Sequence, residues 1–193
     1  MATPVTIASQ PVYGLTRPKT PGGGLVLLEQ HAASSSATLD FTTCISATYD
    51  EYVIEGVSLV AASNAVNLIL QFSADGGGTW LSGATYQWFY SYLRAGSGIV
   101  SANPDTSLHL ANAVSNAANT SVLFTARLFN PLGGLYTMFM FDAIEPNSGD
   151  SGNAYRYNGF GQYSATTALN ALRFAFSSGN IASGTIRVYG IAK

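Results

Sequence analysis

YVIEGVSLVAASNAVNLILQFSADGGGTW, which runs from Tyr52 to Trp80, holds two apolar runs on either side of a small-residue bend. In the second run, apolar side chains fall on every other position from Val66 to Phe72, and this two-residue period is typical of a β-strand. The glycines at positions 76–78 then give the backbone the freedom that a tight reversal needs. The stretch therefore predicts a β-hairpin in the protein core, followed by a locked turn.

The turn from Ser73 to Trp80 reads SADGGGTW and fits the pattern S-x-D-x-G-x-T-W. This pattern resembles the Asp box found on the propeller blades of sialidases and on several unrelated β folds. The resemblance implies that Asp75 accepts backbone hydrogen bonds across the turn and that Trp80 packs beneath it. Sialidases carry several copies in a longer chain with an arginine cluster, whereas this sequence has one copy and scattered arginines. We therefore predict a structural turn rather than a catalytic one.

Alternating apolar patterns recur along most of the chain, separated by turn signals, and this series of short strands indicates a two-sheet sandwich or a barrel. The segment Asp105–Ala118 is ambiguous, because its apolar residues follow helical spacing while its Asn and Ser residues fit a long loop equally well. The predicted strands are Leu25–Gln30, Ser36–Phe41, Tyr52–Val60, Val66–Phe72, Tyr86–Leu93, Ser121–Phe129, Tyr136–Phe141, Ala171–Phe176 and Thr185–Ile191.

Composition restricts the class of function. Of 193 residues, 47% are hydrophobic and only 9% are charged, against about 25% charged residues in typical soluble domains. Solubility must then come from Ser, Thr, Asn and Gln, or other subunits must cover much of the surface. This balance favours an assembly component over a freely diffusing enzyme.

Charge and hydropathy also exclude some partners. A formal net charge of −2 argues against nucleic-acid binding, which needs a basic stripe to release counterions. No apolar run approaches the ~20 residues of a membrane span, and the N-terminus lacks the pattern of a secretory signal. We therefore expect neither a nucleic-acid partner nor membrane insertion.

The first 24 residues differ from the rest of the chain. Prolines recur at positions 4, 11, 18 and 21, and the segment ends in three glycines. Such a segment cannot form a helix and has too few apolar residues for its own core. We interpret residues 1–24 as an extended docking arm with a glycine hinge and residues 25–193 as the folded domain; a disordered tail is the alternative. The predicted anchoring residues are Val5, Ile7, Pro11, Tyr13, Leu15, Arg17 and Pro18.

Two aromatic clusters are candidate recognition sites. The rings at positions 86, 88, 90 and 92 share one face of a strand, where they form either a glycan-binding platform or part of the core or a subunit interface. The second cluster lies in and beside a predicted loop, Asn147–Gly161, and loops on a rigid scaffold often carry binding. Its candidate surface-recognition residues are Tyr155, Tyr157, Phe160 and Tyr163.

Catalytic chemistry has little support in the sequence. Cys44, His31 and His109 are the residue types of a nucleophile and its base, but the apolar flanks of Cys44 favour a buried, inert thiol. The acidic cluster at 50–55 is explained by a solvated edge or a turn cap. The spacing of cysteine and histidines matches no zinc site, and the glycines match no phosphate loop. We predict a non-enzymatic protein without metal or cofactor.

The chain resembles a module that recurs in virion proteins of tailed bacteriophages. The resemblance lies in LVLLEQHAASSSATLDFTTCISATYDEYVIEGVSLV (Leu25–Val60), in FNP (Phe129–Pro131) and in FSSGNIASGTIRVYGIAK (Phe176–Lys193). It implies a jelly-roll-like, two-sheet antiparallel β-sandwich, often trimeric, that serves as a tail-fibre domain or a capsid-bound appendage. It carries over no catalytic residue. The matching residues are Ser36, Asp40, Phe41, Tyr49, Asp50, Tyr52, Phe129, Asn130, Pro131, Ser178, Gly179, Gly184, Tyr189 and Gly190.

Residues and resemblance together predict a virion structural protein. The leading expectation is a tail or neck fibre unit, or appendage, anchored by the arm and contacting the host surface, where a glycan is a candidate ligand. The alternatives are a capsid decoration (cement) protein that stabilises the head shell and, less favoured, a carbohydrate-binding module. The expected partners are tail, neck or capsid subunits and further copies of the chain, with a trimer favoured.

Overall fold

In the computed structural model, residues 24–93, 98–146 and 154–191 are described, and they form twelve β-strands and no helix. Within these ranges, no helix could therefore cross a membrane. The strands are β1 (Leu25–Ser36), β2 (Leu39–Phe41), β3 (Glu51–Ala61), β4 (Val66–Ser73), β5 (Tyr86–Leu93), β6 (Gly98–Asp105), β7 (Leu108–Val114), β8 (Val122–Phe129), β9 (Thr137–Glu145), β10 (Tyr155–Tyr163), β11 (Ala171–Phe176) and β12 (Ile181–Ile191).

The strands form two antiparallel sheets. One has eight strands in the order β1-β12-β3-β8-β9-β10-β5-β6, and the other has four in the order β2-β11-β4-β7. The chain moves between the sheets repeatedly, so most consecutive strands along the first half are not neighbours in a sheet. The predicted fold class, an all-β, jelly-roll-like two-sheet sandwich, is confirmed.

The core lies between the two sheets and is rich in aromatic rings. In β8, for example, the side chains at 122, 124, 126 and 128 are buried while those between them face outward. Each large apolar side chain that is fully buried contributes about 1.5–3 kcal/mol of transfer free energy. The largest fully buried rings are Tyr52, Tyr86, Tyr90, Tyr157, Phe41, Phe72, Phe139 and Phe174.

The predicted core hairpin between Tyr52 and Phe72 is wrong. Both strands exist, but β3 pairs with β12 and β8, whereas β4 pairs with β11 and β7 in the other sheet. The link crosses between the layers, and there the Ala62 backbone N–H donates to Asn180 O at 2.9 Å. Alternation identifies a strand and its buried face, but it does not identify the strand that pairs with it.

Both interpretations of Asp105–Ala118, a helix and a long loop, are also wrong, because this segment contains β7. Two register irregularities allow the five residues Val66–Leu70 to pair with the seven residues Leu108–Val114, and Ala113 takes a φ of 54°. Extra residues on one strand turn its side chains out of strict alternation. Leu108, Ala111 and Val114 are therefore all buried, at a spacing that imitates a helix.

The predicted loop Asn147–Gly161 overlaps β10, which lies inside the eight-stranded sheet between β9 and β5, so the loop prediction is wrong from Tyr155 onward. Glycines at 159 and 161 suggested a loop, yet both occupy inward positions of the strand. A Cβ at Gly159 would lie within 2.8 Å of Phe141 Cε1, and a Cβ at Gly161 would clash with Leu108. Neighbouring side chains thus fill the space that these glycines leave.

Candidate functional site

Most of the predicted recognition residues lie in the core. Tyr155, Tyr157 and Tyr163 are 7%, 1% and 6% exposed, because they occupy the inward positions of β10. Phe160 points the other way and is 51% exposed. The surface-recognition prediction is therefore wrong for the three tyrosines, and only Phe160 is on the surface.

The aromatic stripe of β5 is also internal. Tyr86, Trp88 and Tyr90 are at most 7% exposed, and Tyr92 is partly buried. The Trp88 ring stacks on Tyr90 with centroids 5.3 Å apart. Of the two interpretations of this stripe, the core is confirmed and the glycan platform is wrong.

The turn after β4 is held by the predicted residues. Asp75 Oδ1 accepts hydrogen bonds from Ser73 Oγ at 2.7 Å and from the Thr79 backbone N–H at 2.8 Å. These hydrogen bonds, that from Ser73 first, hold the pKa of Asp75 below its ordinary value. The Arg173 guanidinium lies 4.3 Å from the Trp80 ring centroid. The turn links β4 to a strand of the other sheet, so it does not close a hairpin.

Cys44, His31 and His109 do not form a catalytic arrangement, and the prediction of a buried thiol at Cys44 is confirmed. Cys44 is 2% exposed, and burial raises its pKa to about 12. His31 Nε2 lies 2.8 Å from Glu29 Oε1, a carboxylate that also accepts hydrogen bonds from Thr43. His109 stacks on Trp88 at 4.5 Å, and burial lowers its pKa. The part of the chain that the structure describes contains no cluster of three or more metal-ligating side chains.

The predicted anchoring residues of the docking arm, from Val5 to Pro18, lie outside the described residues.

The most unusual surface of the described protein is the outer face of the eight-stranded sheet. We define it as the solvent-facing side chains of the seven adjacent strands from β1 to β5 in sheet order. Large apolar side chains are exposed there: Val57 39%, Leu123 42%, Met138 41%, Met140 56%, Ile144 49% and Phe160 51%. A sheet face in contact with water is ordinarily polar, so this face has the composition of a surface that is covered.

Cross-strand register orders the outer face into transverse rows. A polar row crosses all seven strands and consists of Gln30, Arg187, Glu55, Thr125, Asp142, Asn158 and Ser91. On one side of it lies the Phe160 row, with Leu27, Tyr189, Val53, Arg127, Met140, Phe160 and Phe89. On the other side lies the Ile144 row, with Ala32, Thr185, Val57, Leu123, Ile144, Arg156 and Leu93. The pairing of β3 with β8 is irregular between Gly56 and Leu59, so Val57 and Leu123 line the same hollow without being register partners.

Two shallow hollows lie along the polar row. One, of about 340 Å³, is bounded by Phe89, Met140 and Phe160, and the other, of about 330 Å³, by Val57, Leu123 and Ile144. Thr125 and Asp142 line both. The two hollows therefore adjoin at these two polar residues, each with an apolar bank on its far side, and we refer to them together as the groove.

The polar groups of the outer face bind one another. Arg156 Nε donates to Asp142 Oδ1 at 3.0 Å, and these hydrogen bonds lower the pKa of Asp142. Arg187 Nε donates to Gln30 Oε1 at 2.7 Å, and Arg127 forms an ion pair with Glu51. Two of the three arginines form ion pairs and the third is hydrogen-bonded to an amide, all within the subunit, so the face presents mainly apolar surface to a partner.

The outer face was not predicted from the sequence, although the signal is present. In TMFMF, residues 137–141, both inward and outward positions carry large apolar side chains. An antiparallel strand with one wet face should alternate instead.

No protein-family model matches the chain, and no curated protein is significantly similar to it.

Proposed function

We propose that this protein is a non-enzymatic structural subunit of a bacteriophage virion, used as a tail or neck fibre unit or appendage. The observation that carries the proposal is the outer face, a broad apolar surface on a chain with only 9% charged residues. Such a surface is typical of a protein that is permanently in contact with other subunits. The resemblance of Leu25–Val60 and Phe176–Lys193 to a virion module supports the bacteriophage assignment.

In this proposal, residues 1–24 attach the sandwich domain to the particle. The segment has prolines and apolar residues but no carboxylate, so it suits an extended contact along other subunits. The opposite end of the subunit then meets the host surface, with a glycan as the candidate ligand. The subunit functions as a homo-oligomer, and the resemblance favours a trimer.

Deletion of residues 2–21 tests the attachment. We expect the truncated protein to fold, because the deleted residues precede the first strand, but to be lost from purified particles. A matched control replaces the same residues by a Gly/Ser segment of equal length, which separates the role of sequence from that of length. Incorporation of the truncated protein at normal copy number would refute the anchoring role.

The alternative placement is a capsid decoration protein, with the same segment lying across capsid subunits. Copy number on a stained gel of purified particles distinguishes the two placements. Hundreds of copies per particle indicate decoration, and a few dozen or fewer indicate a tail or neck appendage.

A carbohydrate-binding module is the less favoured candidate function. The observation that supports it is the groove beside Phe160. Exposed aromatic rings next to hydrogen-bonding side chains can hold a sugar ring. If the wild-type protein binds a glycan array and Phe160→Ala does not, this function is favoured over a purely structural role. Trp88→Ala and Tyr157→Ala are unsuitable probes, because both side chains lie in the core.

A further inference from the structure

The outer face has the side-chain composition of a protein–protein interface. Of the four arginines in the described residues, three lie on this face: Arg127, Arg156 and Arg187. Interfaces are enriched in Met, Phe, Tyr and Arg, and the described residues of this face include all four types.

The electrostatics of the face select a partner that is itself poor in charge. Its ion pairs, such as Arg156 with Asp142, are satisfied within the subunit, so it has no surplus charge of either sign to attract a charged partner. A strongly charged partner would lose solvation without gaining a counter-charge. This chain is itself a suitable partner, with 9% charged residues and a formal net charge of −2.

The area of the face also suits subunit contact. Seven strands about 4.8 Å apart, each contributing about seven residues at ~3.4 Å, make a face of roughly 30 by 25 Å. That is about 750 Å², close to the ~800 Å² that each partner buries in a stable complex of standard size.

We propose that the outer face of the eight-stranded sheet packs against a second copy of this chain, with the Phe160 row and the Ile144 row at the centre of the contact. The proposal rests on the homo-oligomer included in the proposed function and names the surface that forms it. Met140 and Phe160 are neighbours in register and supply the largest exposed side chains of one bank. Ile144 and Leu123 are neighbours in the other.

Sedimentation analysis of the purified full chain tests the proposal. We expect wild-type protein to have a mass two or three times 20.2 kDa. Met140→Lys and, separately, Ile144→Lys should each weaken association by at least tenfold, because each buries an unpaired charge in the contact. The control is Leu135→Lys, since Leu135 is 71% exposed in the connection between β8 and β9 and belongs to none of the three rows. An unchanged far-ultraviolet circular dichroism spectrum would show that each variant is folded, whereas the melting temperature is expected to fall when association is weakened.

The outcomes separate this proposal from the virion assignment. A wild-type monomer at every concentration overturns the proposal, as does an oligomer that both face variants leave intact. In the second case another surface joins the copies. Neither result changes the copy number of the protein in purified particles, which tests the virion assignment by itself.

Discussion

Two buried tyrosines of neighbouring strands, Tyr90 and Tyr157, differ in the hydrogen bonding of their hydroxyl groups. Their rings contact edge-to-face with centroids 5.4 Å apart. The Tyr157 hydroxyl donates to Asn112 O at 2.8 Å, whereas the Tyr90 hydroxyl has no hydrogen-bond partner among the described residues. An unpaired buried hydroxyl costs free energy that a phenylalanine would not.

We therefore predict opposite effects of the same substitution at these two sites. Tyr157→Phe should lower the free energy of unfolding by about 1–2 kcal/mol, because Asn112 O loses its donor. Tyr90→Phe should leave the free energy of unfolding unchanged or raise it by up to about 1 kcal/mol. Chemical denaturation of both variants measures the difference, and equal losses at both sites would contradict the prediction.

Glu29 gives the protein a specific sensitivity to acid. Burial by itself raises its pKa, but hydrogen bonds from His31, Thr43 and Thr42 outweigh that effect and lower the pKa below its ordinary value. A carboxylate whose pKa is lower in the folded state stabilises the fold above its unfolded-state pKa. This stability is lost as the pH falls through the folded-state pKa.

We expect Glu29→Gln to remove this part of the acid sensitivity. Between about pH 5 and about pH 3, the melting temperature of wild type should fall more steeply than that of Glu29→Gln. Thermal unfolding followed across this pH range measures both slopes. Parallel curves for the two proteins would mean that Glu29 has the same pKa in both states.

Arg173 connects three structural elements: β11, β2 and the turn that ends at Trp80. Its guanidinium in β11 donates from Nε and Nη2 to both oxygens of Asp40 in β2, at 2.8 and 2.6 Å, and lies over the ring of Trp80. Strand β2 has only three residues, so this side chain fixes a short edge strand and the turn together.

We predict that Arg173→Lys lowers the free energy of unfolding by about 1–2 kcal/mol, although the charge is kept. Lysine cannot form the bidentate hydrogen bonds with Asp40, and it stacks less well than arginine on the Trp80 ring. A double-mutant cycle with Trp80→Leu should give a coupling of about 0.5–1 kcal/mol. A purely additive cycle would show that the stacking contributes nothing.

The positions of many strands were predictable from the sequence. Two-residue periodicity located β3, β4, β5 and β8 because their inward side chains are regular. It failed at β7, where a bulge changes the spacing, and at β10, where Gly159 and Gly161 occupy inward positions. Pairing across the sandwich was not predictable, because it depends on contacts between residues far apart in sequence, such as Asp40 and Arg173.

For the whole molecule, the sequence predicted either a surface rich in Ser, Thr, Asn and Gln or a surface covered by other subunits, but it did not show where a covered surface would lie. Low charge was visible in the composition, and apolar outward positions were visible in residues 137–141. Only the strand order brings Val57, Leu123, Ile144 and Met140 onto one face. The recognition residues were assigned to the wrong surface for the same reason, since a tyrosine in a strand can face inward or outward.

Cys44 is a reporter for the opening of the whole molecule. It is the single cysteine of the chain, is 2% exposed, and has a pKa raised to about 12 by burial. The thiolate of a cysteine is the nucleophile that attacks a thiol reagent, so Cys44 should react only after the surrounding core has opened. At neutral pH, labelling of the native protein should be slower than that of the unfolded chain by at least about 100-fold.

The same measurement reports on association through the outer face. If opening requires a free subunit, mass action makes the labelling rate fall about three- to fivefold for each tenfold rise in protein concentration. Met140→Lys, which weakens the contact, should label at a rate independent of concentration. Concentration-independent labelling of wild type would mean either that opening occurs within the oligomer or that no oligomer forms, and sedimentation of the same samples separates the two. Labelling of native Cys44 as fast as that of the unfolded chain would contradict its place in the core.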